Sequence, residues 1–330
     1  MLYPEGSSPV TTPASPMDFG RLSFGGASLG NLFRAVDDAQ AAATLETVWD
    51  LGIRYLDTSP HYGLGLSERR IGEFLADKPR DEYLISTKVG RLLEPTPERA
   101  GEPDDTWFLV PATARRVWDY SADGIRRSLD DSLERLGLDR IDILYLHDPE
   151  RNSLRDGLDE AVPALAHFRD QGMTRAIGVG SMDTDALLAS ANTGALDLLM
   201  VAGRYTLAEQ PALADVIPAC RANGVGIVNA SVFNSGLLAT DSPGADARYE
   251  YGGVPAPVLA RVQSIAEVCR EFGVSLPAAA LQYTLRDDTV RSIVVGGSKP
   301  EQLRQNAARM METIPDDLWS TLTERGLIPA

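Results

Sequence analysis

Eight short apolar runs, rich in β-branched residues, recur along the chain, and an amphipathic stretch follows most of them. The runs lie near residues 22–27, 53–57, 83–88, 141–147, 175–180, 197–202, 225–230 and 292–296. Strands that alternate with helical stretches of about 10–15 residues indicate βαβ units and a parallel sheet. Eight such units close into a barrel. The sequence therefore predicts the α/β class and a single (β/α)₈ TIM barrel.

The intervening helices carry their own start and stop signals. One helix is predicted to begin at Ser67, in SERRIGEFLAD. A second follows Ser121 and ends at Gly137, and a third starts near Pro257 and ends at Gly273. These positions are structural and give the barrel its outer layer.

The length of 330 residues suits one barrel enlarged by loops, because this fold commonly takes about 250 residues. Residues 1–18 are rich in Pro, Ser and Thr and are predicted to form a flexible arm, and residues 19–330 the barrel domain. Segments 90–120 and 239–254 lack a long periodic pattern. Both are expected to be long loops at the C-terminal face, over the site.

The net charge of −16 argues against nucleic acid and anionic membranes as partners, because both would repel an acidic surface. The N-terminal segment lacks a charged region followed by an apolar one, so a cytoplasmic protein is expected. The two cysteines, Cys220 and Cys269, suggest neither a disulfide framework nor a metal site. The histidines, including His167, lack metal-ligand spacing, so no metal is predicted. The oligomeric state stays open.

Four polar residues lie at or just after the ends of apolar runs in the first half of the chain: Asp57, Tyr62, Lys88 and His147. Side chains from the ends of neighbouring parallel strands converge on one spot. There Tyr62 would give or take a proton, and Lys88 would lower the pKa of Tyr62 by favouring the phenolate. Asp57 would hold Lys88, and His147 would donate a hydrogen bond to a carbonyl oxygen. Their types suit oxidation or reduction of a carbonyl.

The same residues resemble the tetrad of the aldo-keto reductases. The pattern D-T-x-x-x-Y-G-x-x-x-S-E runs from Asp57 to Glu68, S-T-K ends at Lys88, and L-Y-L-H ends at His147. The stretches FGGASLGN, VAGRYTLAEQ and NSGLLA further resemble the aldose 1-dehydrogenases that act on L-fucose, L-galactose or D-threo-aldoses. The resemblance implies an NAD(P)-dependent oxidoreductase that turns the C1 hemiacetal of an aldose into a lactone.

Cofactor contacts are also implied by this resemblance. The turn in SIVVGGSKPEQLRQNAARM resembles the family segment at the adenosine end of the cofactor. A glycine turn at a helix N-terminus suits an anion. Lys299 and Ser298 favour NADP, with NAD left open. Ala202 and Ala230 stand where the family usually has Gln and an aromatic ring. The implied cofactor residues are Gly25, Gly26, Ala27, Asp57, Ser181, Ser231, Phe233, Asn234, Ser235, Gly236, Gly297, Ser298, Lys299, Gln302, Gln305 and Asn306.

The substrate is expected to be a small sugar or aldehyde. Tyr62 and His147 would contact its reacting end, and Trp118, Trp107 and His61 are predicted to line its pocket. The alternatives are an NADPH-dependent aldehyde or ketone reductase, or a pyridoxal 4-dehydrogenase. A cofactor-sensing regulatory subunit on the same fold is a further alternative.

Overall fold

A computed structural model describes residues 17–250 and 252–329 of the protein. Most of the predicted N-terminal arm, residues 1–16, lies outside the described residues. The described strands are β1 (Leu22–Gly25), β2 (Tyr55–Asp57), β3 (Leu84–Val89), β4 (Arg91–Pro95), β5 (Ala114–Trp118), β6 (Ile143–His147), β7 (Ala176–Ser181), β8 (Leu198–Ala202), β9 (Gly226–Ala230), β10 (Arg248–Tyr249), β11 (Gly252–Gly253) and β12 (Val290–Gly296).

Eight of these strands form a closed parallel barrel in the order β1-β12-β9-β8-β7-β6-β3-β2. They are the eight that the apolar runs predict, so the (β/α)₈ fold is confirmed. The register aligns Asp57 with Ser86, Lys88 with Tyr145 and His147 with Gly180. The polar residues that end β2, β3 and β6 therefore lie at one rim.

The helices cover the outside of the barrel. They are α1 (Asp38–Asp50), α2 (Leu66–Leu75), α3 (Ala122–Leu136), α4 (Leu154–Asp156), α5 (Val162–Asp170), α6 (Thr184–Ala191), α7 (Val216–Asn223), α8 (Ala256–Glu271), α9 (Leu276–Tyr283), α10 (Pro300–Met310) and α11 (Asp316–Glu324). A π-helical turn, Gly157–Ala161, joins α4 to α5.

Helix α3 starts and stops as predicted. The Ser121 hydroxyl accepts a hydrogen bond from the Gly124 N–H, and Gly137 ends the helix at φ 65°. Helix α2 differs, because it begins one residue before Ser67, after Gly65 at φ 79°. The Ser67 hydroxyl donates instead to the carbonyl of Gly26 at 2.8 Å and joins the helix to the loop after β1.

The N-terminal end of the barrel is filled by side chains. Tyr55 and Tyr145 are fully buried inside it, and Phe19 packs edge-on against Tyr55 with ring centroids 5.6 Å apart. Met17 packs against the same cluster. Because this end is closed, a ligand must enter from the opposite rim, where the polar residues lie.

The segment 90–120 contains a hairpin that the sequence did not indicate. Strands β4 and β5 pair antiparallel, with Arg91 opposite Trp118 and Pro95 opposite Ala114. Each strand has five residues, and a long proline-containing connection separates them, so neither gives a periodic signal. A second hairpin, β10–β11, occupies part of segment 239–254.

In the described part of the chain, no helix is both long enough and apolar enough to span a membrane.

Candidate active site

A buried ion pair forms the floor of the site. Lys88 Nζ lies 2.6 Å from Asp57 Oδ2 and donates to the carbonyl of Thr58 at 2.9 Å. The Ser86 hydroxyl donates to the other oxygen of Asp57 at 2.7 Å and lies 3.0 Å from the Tyr55 hydroxyl. Burial raises the pKa of Asp57, and the contacts of Lys88 and Ser86 oppose that rise. The network fixes the lysine ammonium in one place.

Tyr62 lies on the loop after β2, above this lysine. Lys88 Nζ is 4.7 Å from the centroid of the Tyr62 ring. The loop is held by close backbone packing, because a Cβ added at Gly30 would lie 2.5 Å from the Tyr62 carbonyl carbon. Gly63 at φ 64° faces Gly30 from the other side. Both glycines are therefore required by the position of the tyrosine backbone.

His147 completes the group at the end of β6. Its ring lies 6.0 Å from that of Tyr62, nearly perpendicular to it. Its Nδ1 is 3.2 Å from the Ser59 hydroxyl. Burial, then the charges of Arg91 and Lys88, hold the pKa of His147 well below its usual range. The imidazole is therefore neutral and can donate one hydrogen bond. The structure thus brings all four predicted catalytic residues together.

His61 and Phe108 line the space beside Tyr62. The His61 ring lies 5.6 Å from that of His147 and 5.4 Å from that of Phe108. Phe108 also packs against the Tyr62 ring at 5.8 Å. Burial and the charge of Arg91 lower the pKa of His61 to about 2. His61 is therefore a neutral group beside Tyr62, and its predicted substrate contact stays a prediction.

Two arginines anchor the β4–β5 hairpin to the backbones of the two site histidines. Arg91 donates to Asp148 at 2.7 Å and reaches the carbonyl of His147 at 3.5 Å. Arg116 donates to Asp104 at 2.8 Å and to the carbonyl of His61 at 3.1 Å. The hairpin is therefore fixed over the site by charged contacts.

The contacts described for the two predicted tryptophans are with residues outside the tetrad, whereas Phe108 packs against Tyr62. Trp118 packs under the Arg91 guanidinium, with its ring centroid 4.3 Å away, and edge-on to Tyr120. Trp107 is 58% exposed, and its ring contacts Phe33 at 5.8 Å. Trp107 and Phe33 line a cavity of about 470 Å³ together with residues of the β10–β11 hairpin. Their predicted substrate contacts stay predictions.

The turn after β12 is closed by side chains of the protein. The Gln302 side chain accepts from the backbone N–H groups of Ser298 at 2.9 Å and Lys299 at 3.2 Å. Gln40 donates to the Ser298 carbonyl, and Ser28 donates to the Gly297 carbonyl at 2.8 Å. The Lys299 side chain is exposed beside this turn. The remaining predicted contacts of α10 are the exposed Gln305, which donates to Glu301, and the buried Asn306, which accepts from Arg309.

The loop after β9 has unusual backbone geometry. Ser231 at φ 56°, Asn234 at φ 45° and Ser235 at φ 60° adopt left-handed conformations, and Gly236 follows at φ 103°. Phe233, at φ −94° and ψ 6°, precedes the Asn234 turn. Backbone of this kind can turn N–H groups to one side, as in anion-binding loops. Here the N–H groups of Asn234 and Gly236 donate to the carbonyls of Ser231 and Phe233. This backbone geometry suits the predicted cofactor role of residues 231–236.

An unpaired carboxylate oxygen lies where the turn after β6 meets the end of β7. The Ser181 hydroxyl donates to Glu150 Oε1 at 2.8 Å and accepts from the Asp183 N–H at 2.9 Å. Within the described part of the chain, Glu150 Oε2 is buried and has no hydrogen-bond partner. Ala202 and Ala230, at the ends of β8 and β9, leave the adjoining rim without a polar side chain of their own.

A buried orphan acceptor of this kind fits the carboxamide of a nicotinamide, which needs an acceptor for its NH₂ group. Ser181, Glu150 and the 231–236 loop are thus compatible with such a cofactor. The predicted residues at the start of the barrel lie at the same rim. Gly26 is buried against the Asp57 backbone, where a Cβ would lie 2.9 Å from the carbonyl oxygen, while Gly25 and Ala27 are half-buried.

Several residues of the site are missed by sequence reasoning. Ser59 falls at an unspecified position of the D-T-x-x-x-Y pattern, and Glu150 lies outside the quoted motifs. Their roles appear only from contacts with residues distant in the sequence. Phe108 lies in a segment without periodicity. The glycine pair Gly30 and Gly63 gives a usable signal, because each glycine closes a tight local turn beside the tyrosine motif.

The barrel and its rim define a class. A neutral histidine, a tyrosine and a buried lysine–aspartate pair at the C-terminal face are the parts of a barrel oxidoreductase that moves a proton at a carbonyl or hydroxyl carbon. The model of the aldo/keto reductase family matches residues 21–325, and this chain belongs to that family. It is therefore an oxidoreductase, and the family works with a nicotinamide cofactor.

The similar proteins include sugar dehydrogenases. The chain is 57% identical over 310 residues to D-threo-aldose 1-dehydrogenase from Pseudomonas sp., covering 93% of this chain and 94% of the relative. It is 39% identical to pyridoxal 4-dehydrogenase from Microbacterium luteolum, covering 93% and 94%. It is 32% identical to L-galactose dehydrogenase from Arabidopsis thaliana, covering 88% and 84%.

A solved structure supports the fold. Glycerol dehydrogenase from Gluconobacter oxydans superposes with a TM-score of 0.74 at 21% identity, covering 96% of each chain.

Proposed function

We propose that this protein oxidises the C1 hemiacetal of an aldose of the D-threo, L-fucose or L-galactose type to the lactone. The observation that carries the proposal is the intact group of Tyr62, Lys88, Asp57 and His147 in a chain 57% identical to a D-threo-aldose 1-dehydrogenase. The L-galactose dehydrogenase relative supports the same substrate class.

In the proposed reaction the C1 hydroxyl lies between Tyr62 and His147. His147 donates a hydrogen bond to the C1 oxygen and orients it. Lys88, held by Asp57, favours the phenolate form of Tyr62. This phenolate takes the hydroxyl proton and becomes the neutral phenol. A nicotinamide cofactor, when bound, would supply the acceptor for the hydride that leaves C1. The sugar loses a proton and a hydride, and C1 becomes the lactone carbonyl.

The cofactor is proposed to be NADP⁺ in preference to NAD⁺. Gln302 already accepts from the Ser298 and Lys299 N–H groups, so these donors are engaged within the protein. The Lys299 ammonium remains beside the turn as a charged donor for a 2′-phosphate. The cytoplasmic location stays a prediction that rests on the sequence.

A second candidate activity is oxidation of pyridoxal, which the 39% identical relative favours. Pyridoxal carries an aldehyde next to a hydroxymethyl group and closes to a cyclic hemiacetal. The same proton acceptor therefore suits both substrates. The choice depends on the ring that the pocket admits.

A substrate panel separates these functions. Initial rates of cofactor reduction are measured with NAD⁺ or NADP⁺ and L-fucose, L-galactose, D-galactose or pyridoxal, and cofactor oxidation with NADPH and simple aldehydes. We expect kcat/KM to be highest for an L-fucose or L-galactose type sugar. The matched control is Tyr62→Phe over the same panel. The rates that remain in this variant measure background turnover that does not use the site, and they are subtracted. Turnover of pyridoxal or aldehydes without any sugar oxidation would overturn the proposal.

A further inference from the structure

The Ser59 hydroxyl lies between the two site histidines, and few hydrogen-bond acceptors are within its reach. Ser59 is fully buried. Its oxygen accepts from the backbone N–H of His61 at 3.1 Å and lies 3.2 Å from His147 Nδ1. A serine hydroxyl has one proton to donate and two lone pairs. The direction of the contact with His147 therefore decides which imidazole nitrogen carries the histidine proton.

One direction leaves a buried donor unsatisfied. If His147 Nδ1 carried the proton, it would donate to Ser59 Oγ, and the hydroxyl proton would have no acceptor among the described residues. An unsatisfied buried donor costs about 1–3 kcal/mol. If Ser59 donates to Nδ1, both the hydroxyl proton and the Nδ1 lone pair are paired. The second arrangement is favoured.

The opposite nitrogen of the imidazole agrees with this assignment. His147 Nε2 lies 3.7 Å from Asp148 Oδ2, which is beyond hydrogen-bond distance. The negative charge of Asp148 therefore favours a proton on Nε2, but Asp148 does not accept a hydrogen bond from it. The Asp148 carboxylate is held by Arg91 at 2.7 Å and Arg151 at 3.3 Å. The Nε2–H group thus remains able to donate to a ligand.

We propose that Ser59 is a positioning residue that fixes the neutral His147 imidazole with its proton on Nε2, so that this proton points to the C1 oxygen of the substrate. The inference rests on the proposed function for the identity of that oxygen. The hydrogen bond to one ring nitrogen sets the protonation of the other. Without the Ser59 hydrogen bond, a fraction of the protein molecules would have an unprotonated Nε2, whose lone pair repels the substrate oxygen.

The test combines a spectroscopic measurement with kinetics. In the cofactor-free protein, ¹⁵N-edited NMR at neutral pH reports which nitrogen of each histidine is protonated, and His147→Asn identifies the His147 signals. We expect the parent to show a protonated Nε2 and an unprotonated Nδ1. In Ser59→Ala the Nδ1–H form should become populated, and kcat with the best sugar should fall about tenfold, which corresponds to about 1.4 kcal/mol.

Two further variants exclude a merely structural effect. Ser59→Thr keeps the hydroxyl and should restore the Nε2–H form and most of kcat. Ser23→Ala removes a buried serine whose hydroxyl lies 2.6 Å from that of Ser292 and should change neither the tautomer nor kcat. Cofactor Kd should be unchanged in all three variants.

An Nδ1–H tautomer in the parent would overturn the inference, and so would a Ser59→Ala variant that keeps the parental tautomer. If Ser59→Ala does not fold, the parental tautomer and Ser59→Thr decide. Because the NMR measurement needs no substrate, a protein that oxidises no sugar would refute the proposed function and leave the role of Ser59 separately tested.

Discussion

The two sides of the site are built in opposite ways. On the proton-transfer side, Asp57, Lys88 and His147 are buried and each side chain is hydrogen-bonded within the protein, so little can move without breaking a polar contact. On the cofactor side, β8 and β9 end in alanines, and Glu150 keeps an unpaired oxygen. The chemistry is thus fixed by a closed network, while cofactor recognition depends on a few separable groups that can change independently.

The largest effect is expected on the closed side. Tyr62→Phe removes only the ionising hydroxyl, so kcat should fall by about 10²–10⁴-fold, the usual contribution of a positioned proton acceptor. Cofactor Kd should stay near the parental value, because Lys88 and Asp57 are unaltered. Steady-state kinetics and a fluorescence titration measure both quantities. More than about a tenth of parental kcat would exclude Tyr62 as the proton acceptor.

Stability provides the second contrast. Asp57→Asn leaves the buried Lys88 charge without its partner and should lower the free energy of unfolding by about 3–5 kcal/mol. The control is Asp38→Asn, which also breaks a salt bridge to an arginine, but Asp38 is 84% exposed in its pair with Arg70. That variant should cost less than about 1 kcal/mol. Urea denaturation measures both, and equal losses would show that the Asp57 pair is not special.

On the cofactor side, Lys299→Ala tests the 2′-phosphate contact. Kd for NADP⁺ should rise by the equivalent of about 1.5–3 kcal/mol, the strength of a charge-assisted hydrogen bond, while Kd for NAD⁺ barely changes. Calorimetric titration of the two cofactors gives the comparison. Arg304→Ala is the control, because Arg304 lies on the same helix and contacts Thr47. Equal weakening of both cofactors by Lys299→Ala would refute the phosphate contact.

Glu150→Gln keeps the shape of the side chain and removes its charge. Kd for the oxidised cofactor, which is cationic at the nicotinamide, should rise about tenfold, and Kd for the reduced cofactor should change by about twofold or less. Glu160→Gln, at an exposed position of the same helical region, is the control. Similar changes for both redox forms would contradict a charge effect.

The preference of the site for the oxidised over the reduced cofactor should also depend on pH. Burial raises the pKa of Glu150. Above that raised pKa the carboxylate is charged and favours the oxidised cofactor, and the preference should be lost as the pH falls through it. Titrations of both redox forms across this range, in parent and Glu150→Gln, measure it.

The smallest expected effect separates two aromatic residues of the hairpin segment. Phe108→Leu removes a ring in contact with Tyr62 and His61 and should raise the sugar KM about 2–10-fold, as the loss of aromatic pairs predicts. Trp118→Leu should change KM less, because the Trp118 ring packs on Arg91 and Tyr120. A larger rise of KM in Trp118→Leu than in Phe108→Leu would identify Trp118 as the main aromatic substrate contact.

The barrel and the tetrad were predictable because both follow from local signals. Apolar runs mark the strands, and a polar residue at the end of a parallel strand must lie at the rim, so Asp57, Lys88 and His147 are found without knowing any contact. Ser59 and Glu150 were not, since the partners that give them a role lie 88 and 31 residues away. No pattern around either residue specifies those partners.

The prediction for segment 90–120 shows a second reason why part of the site could not be predicted from the sequence. Aromatic type pointed to Trp118 as a pocket residue, but pairing within the hairpin places Trp118 opposite Arg91, whose guanidinium covers its ring. Phe108 lies beside Tyr62, and the substrate contact of Trp118 stays a prediction. Strand pairing decides which aromatic residue of a long connection faces a site. Short strands rich in arginine give no clear sequence signal for that pairing.

The order of these parts along the polypeptide has a consequence for synthesis on the ribosome. The tetrad, Ser59 and both hairpin arginines lie between residues 57 and 147, whereas the strand that closes the barrel against β1 is Val290–Gly296. Strands β2, β3 and β6 are neighbours in the barrel, so these groups can meet while the later strands are still untranslated. Every residue of the machinery for moving a proton is thus translated before the turn after β12.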